Sequence, residues 1–412
     1  MGEALKYTRT AAYCLSLLGL GLMDASFGPT LPWLAQRTST EVGAAGVLFT
    51  VRSCGYVAGS LVTGRLYDRI PGHRVMGMAL CGLATSLALV PSAPTLLILA
   101  AVLFASGAAA GALDVGANTL LAWIHGERVG PFMNALHLFF GIGALIAPVI
   151  VAQTFKLQLG AEWAYWAIAA TEAGFMLMLI ALPSPVLRVR QQKSKTSPSH
   201  WSWPLIVLVS ACLMAYVGLE VGFGGWIFTY ATQKRSWPSE LAAYLTAVFW
   251  GAFTLGRLAS IPAMAYLSKR NDQRLGSSAG ARRTLRQVLR TALTGATVST
   301  AMLLIWNSEA MLWIGSAALG AFIGPIFPTL ISLAEQRMKL SGSMTSLFLV
   351  GAGFGAMLFP WLIGLAMRWF GPGAMLPAIS TNAAILVITY LALTRWLGQP
   401  PQELIRPDGY DA

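Results

Sequence analysis

Asp24, Arg52, Asp114, Glu172, Glu220 and Arg257 each stand inside a run of apolar residues long enough to form a membrane-crossing helix. An ionisable group at such a depth costs several kcal/mol unless it is paired or hydrated, so each is a candidate for binding or coupling. Asp24 lies about fifteen residues, roughly 22 Å, into the first run, and Arg52 about thirteen residues, roughly 20 Å, from the inner end of the second. The two are expected at similar depth as an ion pair. Such a pair is either a permanent strut between neighbouring helices or a contact that breaks when substrate or proton arrives. Asp114 has Asn118 one turn on, on the same helical face, so the two side chains can converge on one ligand. With no basic residue expected at its depth, Asp114 suits reversible protonation, the other reading being a neutral acid that cross-links helices. Glu220 begins Glu-Val-Gly-Phe-Gly-Gly-Trp226, where three glycines allow close approach of a ligand or a neighbouring backbone. Asn134 and His137 share a face of one run, with Gln153 further along it; a packed histidine and a cavity-lining one are both open. Trp33, Trp226, Tyr230 and Trp250 offer flat apolar surfaces of the kind sugars stack on, although Trp33, Trp237 and Trp369 also suit a membrane interface. Glu172 reads as structural or interface-facing, and Arg257 as a pin for a loop or helix end.

These residues are carried by about twelve apolar runs, near 9–34, 43–66, 75–91, 95–123, 131–155, 162–182, 204–231, 239–267, 286–306, 309–334, 341–368 and 374–397. Each is long enough to cross a hydrocarbon core of about 30 Å as a helix. Composition agrees, being 56% hydrophobic and 11% charged, against roughly 25% charged for soluble domains. The expected class is an all-α membrane protein of two six-helix halves. Asp24-Ala-Ser-Phe-Gly28 returns as Glu220-Val-Gly-Phe-Gly224, and Gly141-Ile-Gly-Ala-Leu-Ile-Ala-Pro148 as Gly353-Phe-Gly-Ala-Met-Leu-Phe-Pro360. Both echoes recur about 200 residues on, which is the mark of a duplicated transporter with its site between the repeats. The halves are read as 1–182 and 204–412, joined by a Pro-, Ser- and basic-rich linker at 183–203. A second basic segment, 268–285, is expected to be a mobile loop.

The 28 Lys and Arg are distributed unevenly. With both termini cytoplasmic, the outer loops hold only Arg37, Lys156, Lys234, Arg235 and Arg368, which is the positive-inside bias. The net charge of +12 therefore reads as basic loops facing anionic lipid, with no nucleic-acid partner. The N-terminal run is too long for a cleavable signal. Cys14, Cys54, Cys81 and Cys212 all fall in spans without metal or redox spacing. No catalytic or metal residue is expected, nor any cofactor beyond a coupling H+ or Na+.

Gly64-Arg65-Leu-Tyr-Asp68-Arg69-Ile-Pro-Gly72-His-Arg74, between the second and third spans, resembles the loop signature of the major facilitator superfamily. The resemblance implies that family's two-half fold, with Gly64, Arg65, Asp68, Arg69 and Arg74 as a conformational latch. A second copy, expected after the eighth span, survives only as Gly256-Arg257 and a basic run from Lys269. Gly111-Ala-Leu-Asp114-Val-Gly116-Ala-Asn118 is similar to the fucose permeases, whose pattern sets an asparagine four residues after an acid. Pro131 to Gly143 and Val217 to Trp226 resemble the sodium-dependent glucose transporter-like proteins. This likeness implies a neutral sugar held by Asn118, Asn134, His137, Glu220, Trp226 and Tyr230, with coupling at Asp114, Asp24 and Arg52. The likeness bears on Asp114 more than on Asp24.

The expected function is alternating-access symport of a small polar solute, a monosaccharide, with H+ or Na+, by a monomer in the cell inner membrane. A proton-driven efflux antiporter and a transport-dead sensor are the alternatives. A membrane enzyme is disfavoured, because no run carries a nucleophile–base pair or a glycine-rich phosphate loop. Nor is there a pore-lining ring of the kind a channel would show.

Overall fold

Long apolar runs in lipid satisfy their backbone N–H and C=O groups internally only as helices. The computed structural model describes residues 3–67, 69–185, 203–306, 308–336 and 342–398. Twelve spans long and apolar enough to cross a membrane are present among them. The helices are α1 (Glu3–Arg37), α2 (Val47–Leu66), α3 (Gly72–Leu89), α4 (Leu96–His125), α5 (Gly130–Lys156), α6 (Ala161–Ile180) and α7 (Trp203–Arg235). They continue as α8 (Ser239–Leu275), α9 (Ser277–Ile305), α10 (Glu309–Ile323), α11 (Ile326–Glu335), α12 (Gly342–Phe370) and α13 (Met375–Gly398). The chain is therefore an all-α membrane protein of two six-span halves, α1–α6 and α7–α13. Most of the linker (186–202) and Asp68 of the latch lie outside the described residues.

Two elements differ from the sequence-based expectation. The tenth span breaks into α10 and α11 at Gly324–Pro325, because Pro325 has no N–H to give to the carbonyl one turn back. The segment 268–285 is helical rather than a loop. α8 runs on to Leu275, Gly276 turns the chain at φ +79°, and α9 starts at once. Asn271 clips the two helices together, its Nδ2 donating to Thr284 Oγ1 at 2.9 Å and to Gln287 Oε1 at 2.8 Å.

Within the first half α2 packs on α4 and α1 on α5; within the second, α8 packs on α10 and α7 on α12. Glycine makes these contacts close enough for backbone to meet backbone. Gly143 of α5 lies on Leu18 of α1, and Gly355 of α12 lies on Met214 of α7. Leu18 and Met214 hold the same place before Asp24 and Glu220, so the second sequence echo is one helix contact made twice. The first echo meets itself: Gly28 of α1 packs on Gly224 of α7, where a Cβ would stand 2.7 Å from the Gly224 oxygen.

Gly59 of α2 is equally confined, since a Cβ there would stand 2.6 Å from Ala108 backbone atoms of α4. Gly59→Leu is expected to lower stability by about 1–3 kcal/mol, the usual cost of overpacking. Thermal unfolding of the purified protein in detergent measures it; an unchanged Tm would mean that α2 and α4 do not touch there.

Candidate substrate cavity

Gly107 and Gly111 of α4 rest directly on the backbone of α2 at Arg52 and Tyr56. That approach brings Asp114, one turn beyond Gly111, against the Tyr56 side chain, whose hydroxyl donates to Asp114 Oδ2. Asn118 Nδ2 donates to Asp114 Oδ1 at 2.8 Å and to the Asp114 carbonyl at 2.9 Å. Each carboxylate oxygen thus has one donor, and Asn118 keeps its own side-chain oxygen for another partner.

His137 of α5 lies near enough to Asp114 and to Arg257 of α8 to feel the charge of both. Arg257 in turn neighbours Glu220 and Tyr216 of α7. A line of polar groups therefore crosses from one half to the other: acid, imidazole, guanidinium, acid. Asp114, Asn118 and Glu220 are partly exposed, while His137 and Asn134 are exposed. Asn134 sits one turn nearer the end of the bundle that carries both termini. This partly exposed seam between the halves is the cleft, with Asn134 nearest its terminal end.

Asp24 and Arg52 are ion-paired between α1 and α2, and remain 30% and 18% exposed. The Arg52 guanidinium also lies 5.8 Å from the centre of the Phe27 ring and near Tyr165, whose hydroxyl is 2.6 Å from Thr30 Oγ1.

The halves meet from mid-helix to the end away from the termini. Gly141 of α5 packs on Thr254 of α8, Thr50 Oγ1 donates to the Met357 carbonyl at 2.9 Å, and Gln153 Nε2 donates to Tyr244 Oη at 2.6 Å. At the surface Arg368 and Glu41 form an ion pair of 2.7 Å. Trp226 belongs to this closure rather than to the cleft. It is fully buried, its Nε1 donates to the Pro360 carbonyl at 2.8 Å, and its ring lies beside Phe49 at 5.9 Å. Gly46 and Gly364 leave room for the indole, since a Cβ on them would stand 2.9 and 2.8 Å from it. Tyr230 and Trp250 are also buried, so none of the three offers a stacking face in this state. Trp226 and Tyr230, expected to contact substrate, are packed away in this state, and Gly222, Gly224 and Gly225 admit Ile363, Trp250 and Phe49.

Other positions also sharpen. Arg257 donates from Nε to the Gly324 carbonyl at 3.2 Å and lies 4.6 Å from the Phe253 ring centre. Gly256 lies against Ala321, whose carbonyl Pro325 leaves without its helical donor. Gly256-Arg257 is therefore a mid-helix clamp on the broken tenth span, not a remnant of a latch loop. Glu172 faces inward against Gly19 of α1, fully buried, with no hydrogen-bond partner for either oxygen among the described residues. Gly64, Arg65, Arg69 and Arg74 lie exposed at the terminal end, remote from the cleft. The sequence reading missed Tyr56, Tyr216 and the closeness of Arg257 to Glu220. Tyr56 was findable as the residue one turn after Arg52, on the same face of its helix.

Removing either Asp24 or Arg52 leaves an unpaired charge at depth. Asp24→Asn or Arg52→Gln should destabilise the protein, by less than the roughly 3–5 kcal/mol of a fully buried pair because both groups keep some exposure. The double variant should be milder than the worse single one. Thermal unfolding of the four proteins gives the coupling, and a double variant no better than the worse single one would refute it.

Residues 13–360 match the family model for the Major Facilitator Superfamily. A protein of Xenopus laevis called sodium-dependent glucose transporter 1 is 29% identical over 395 residues, covering 88% of this chain and 77% of that one. Its Danio rerio namesake is 28% identical over 404 residues, covering 89% of this chain and 65% of the relative, so this chain spans just under two thirds of that protein. Among solved structures, the nucleoside transporter NupG superposes with a TM-score of 0.73 at 15% identity, covering 95% of this chain and 99% of the other. A bacterial homologue of the human lysosomal transporter Spinster, in an inward-facing and occupied conformation, gives 0.68 at 13% identity, covering 96% and 97%. These two likenesses are of fold. With the family model spanning most of both halves, this multi-pass membrane protein belongs to the Major Facilitator Superfamily of transporters.

Proposed function

We propose that the chain is a monosaccharide symporter that binds its sugar in the cleft between the halves and couples its movement to H+ or Na+ at Asp114. The observation that carries this reading is the polar line Asp114–His137–Arg257–Glu220, which spans both halves at mid-bundle with Asn118 beside it. A neutral sugar presents hydroxyls that both donate and accept, so it needs fixed partners of each kind. The free side-chain oxygen of Asn118 accepts, Arg257 donates, and the His137 ring does either according to its tautomer. The name of the similar Xenopus and Danio proteins, sodium-dependent glucose transporter, points to the same substrate class.

Coupling follows from charge. An ionised Asp114 attracts the His137–Arg257 side of the cleft; a proton or a sodium ion on it removes that attraction. Sugar and ion together then allow the halves to rock, parting the Trp226 closure at the far end and closing the cleft mouth. By the positive-inside bias the open end faces the cytoplasm of a cell whose inner membrane holds the protein, which works as a monomer. Asp24–Arg52 is a strut or a second coupling pair in this scheme.

Uptake of labelled monosaccharides into proteoliposomes, with and without proton and sodium gradients, tests the reading. Gradient-driven accumulation of at least one sugar is expected. Asp114→Asn should abolish accumulation but retain counterflow exchange, and Asn118→Ala should weaken sugar affinity by about ten- to a hundredfold, the scale of a buried polar group left unpaired. Full accumulation by Asp114→Asn would remove that residue from coupling. Failure of every monosaccharide, with efflux of other solutes or no transport at all, would favour an antiporter or a sensor.

A further inference from the structure

A second hollow lies away from the cleft, at the terminal end of the second half. It encloses about 540 Å³ between the start of α9 and the end of α13, and is lined by Arg282, Arg283, Arg286, Gln287, Arg290 and Leu397. Nothing in the transport reading uses it.

Among the described residues its polar side chains offer donors. Gln287 Oε1 already accepts from Asn271 Nδ2, so its amide nitrogen is the part left for a ligand. The remaining polar groups are guanidiniums, which have no acceptor atom. The ion pairs among the described residues, Asp24–Arg52 and Glu41–Arg368, include none of these arginines. The buried Nε of Arg286 has no hydrogen-bond partner there, and the buried Tyr390 of α13 lies beside Arg286 and Arg290. A buried charged donor left without a partner is costly, and an anion is the group that would satisfy it.

Position narrows the anion. α9 ends at Ile305, and exposed Trp306 follows at the opposite end. Counting back about twenty residues, or 30 Å of helix, from there reaches Arg286, so the hollow opens at headgroup level. Topology alone requires basic residues on one side of the membrane, but not on one helical face around one hollow. Several guanidinium forks converging at that level match the oxygens of a phosphate group.

We propose that the hollow between α9 and α13 is a binding site for a phosphate-bearing anion, supplied either by the headgroup of an anionic phospholipid or by a soluble phosphate. The full-length protein, held in phosphatidylcholine nanodiscs, would be titrated with short-chain phosphatidylglycerol, short-chain phosphatidylcholine and inorganic phosphate while Tm is followed. Phosphatidylglycerol is expected to raise Tm saturably and phosphatidylcholine to leave it unchanged. The double variant Arg286→Gln/Arg290→Gln should need at least about tenfold more phosphatidylglycerol, the scale of a lost charge-assisted hydrogen bond. Arg290→Gln alone, at an exposed position that the fold tolerates, should show the same weakening in smaller degree. Arg274→Gln, a neighbouring arginine outside the hollow, should respond as wild type. A saturable shift with inorganic phosphate that the same variants lose would assign the site to a soluble anion. Equal shifts in wild type and both Arg290 variants, or no shift with either anion, would overturn the proposal.

Discussion

The polar interior of this protein hangs on one steric condition: α4 must lie on α2 with backbone touching backbone. Gly107 and Gly111 meet α2 at Arg52 and Tyr56, the two residues whose side chains reach Asp24 and Asp114. A side chain at either glycine would push the helices apart and take Tyr56 away from the carboxylate it holds. Lipid supplies no substitute donor, so the separation of two helix axes decides whether a charge at depth is tolerable. The second half meets the same condition with other residues: Gly320 and Gly324 of the tenth span rest on α8 at Phe249 and Phe253, just before Arg257.

The two-fold relation of the halves organises the closure as well. Gly28 and Gly224 occupy the same place in the two copies of one short segment and pack on each other. Around that point Phe27, Phe49 and Trp226 form an aromatic layer, with Phe27 and Phe49 edge to face at 4.7 Å. Among the described residues the rim of the layer carries the Arg368–Glu41 ion pair, a few polar bonds and the close approach of Gly43 to Gly364, contacts that can be exchanged without unfolding either half. Helix packing inside each half is continuous backbone contact through glycine. A rocking motion would therefore part the aromatic layer and leave the halves intact.

Much of this was legible in the chain itself. The spans follow from the length of the apolar runs, the two halves from the echoes at Asp24/Glu220 and Pro148/Pro360, and the Asp24–Arg52 pair from depth counted along two helices. What was not legible depends on which way a side chain turns. Trp226 lies in the same glycine-rich turn as a cavity residue would, and only packing against Gly46 and Gly364 shows that it plugs the far end. Arg257 looked like the end of a degenerate latch, because sequence places it after Gly256 but does not say that α8 continues for eighteen residues past it. The stretch 268–285 resembled a loop for its charge and glycine, yet only Gly276 needs a loop conformation; Asn271 holds the rest as two helices. The break at Pro325 is a plain consequence of proline chemistry that hydropathy, which counts apolar residues and not hydrogen bonds, does not register.

That break has a consequence for how the protein is made. α10 and α11 together are apolar enough to enter a bilayer, but the carbonyls around the break then face hydrocarbon without donors, each at a cost of several kcal/mol. The Gly324 carbonyl is satisfied by Arg257, which belongs to α8 and emerges from the ribosome first. Arg257 enters the membrane after its neighbour Glu220 of α7, so its charge has a counterpart from the start and only the Gly324 carbonyl reaches it later. The tenth span therefore enters lipid most favourably against an eighth span already in place, whose Arg257 meets the Gly324 carbonyl beside the break.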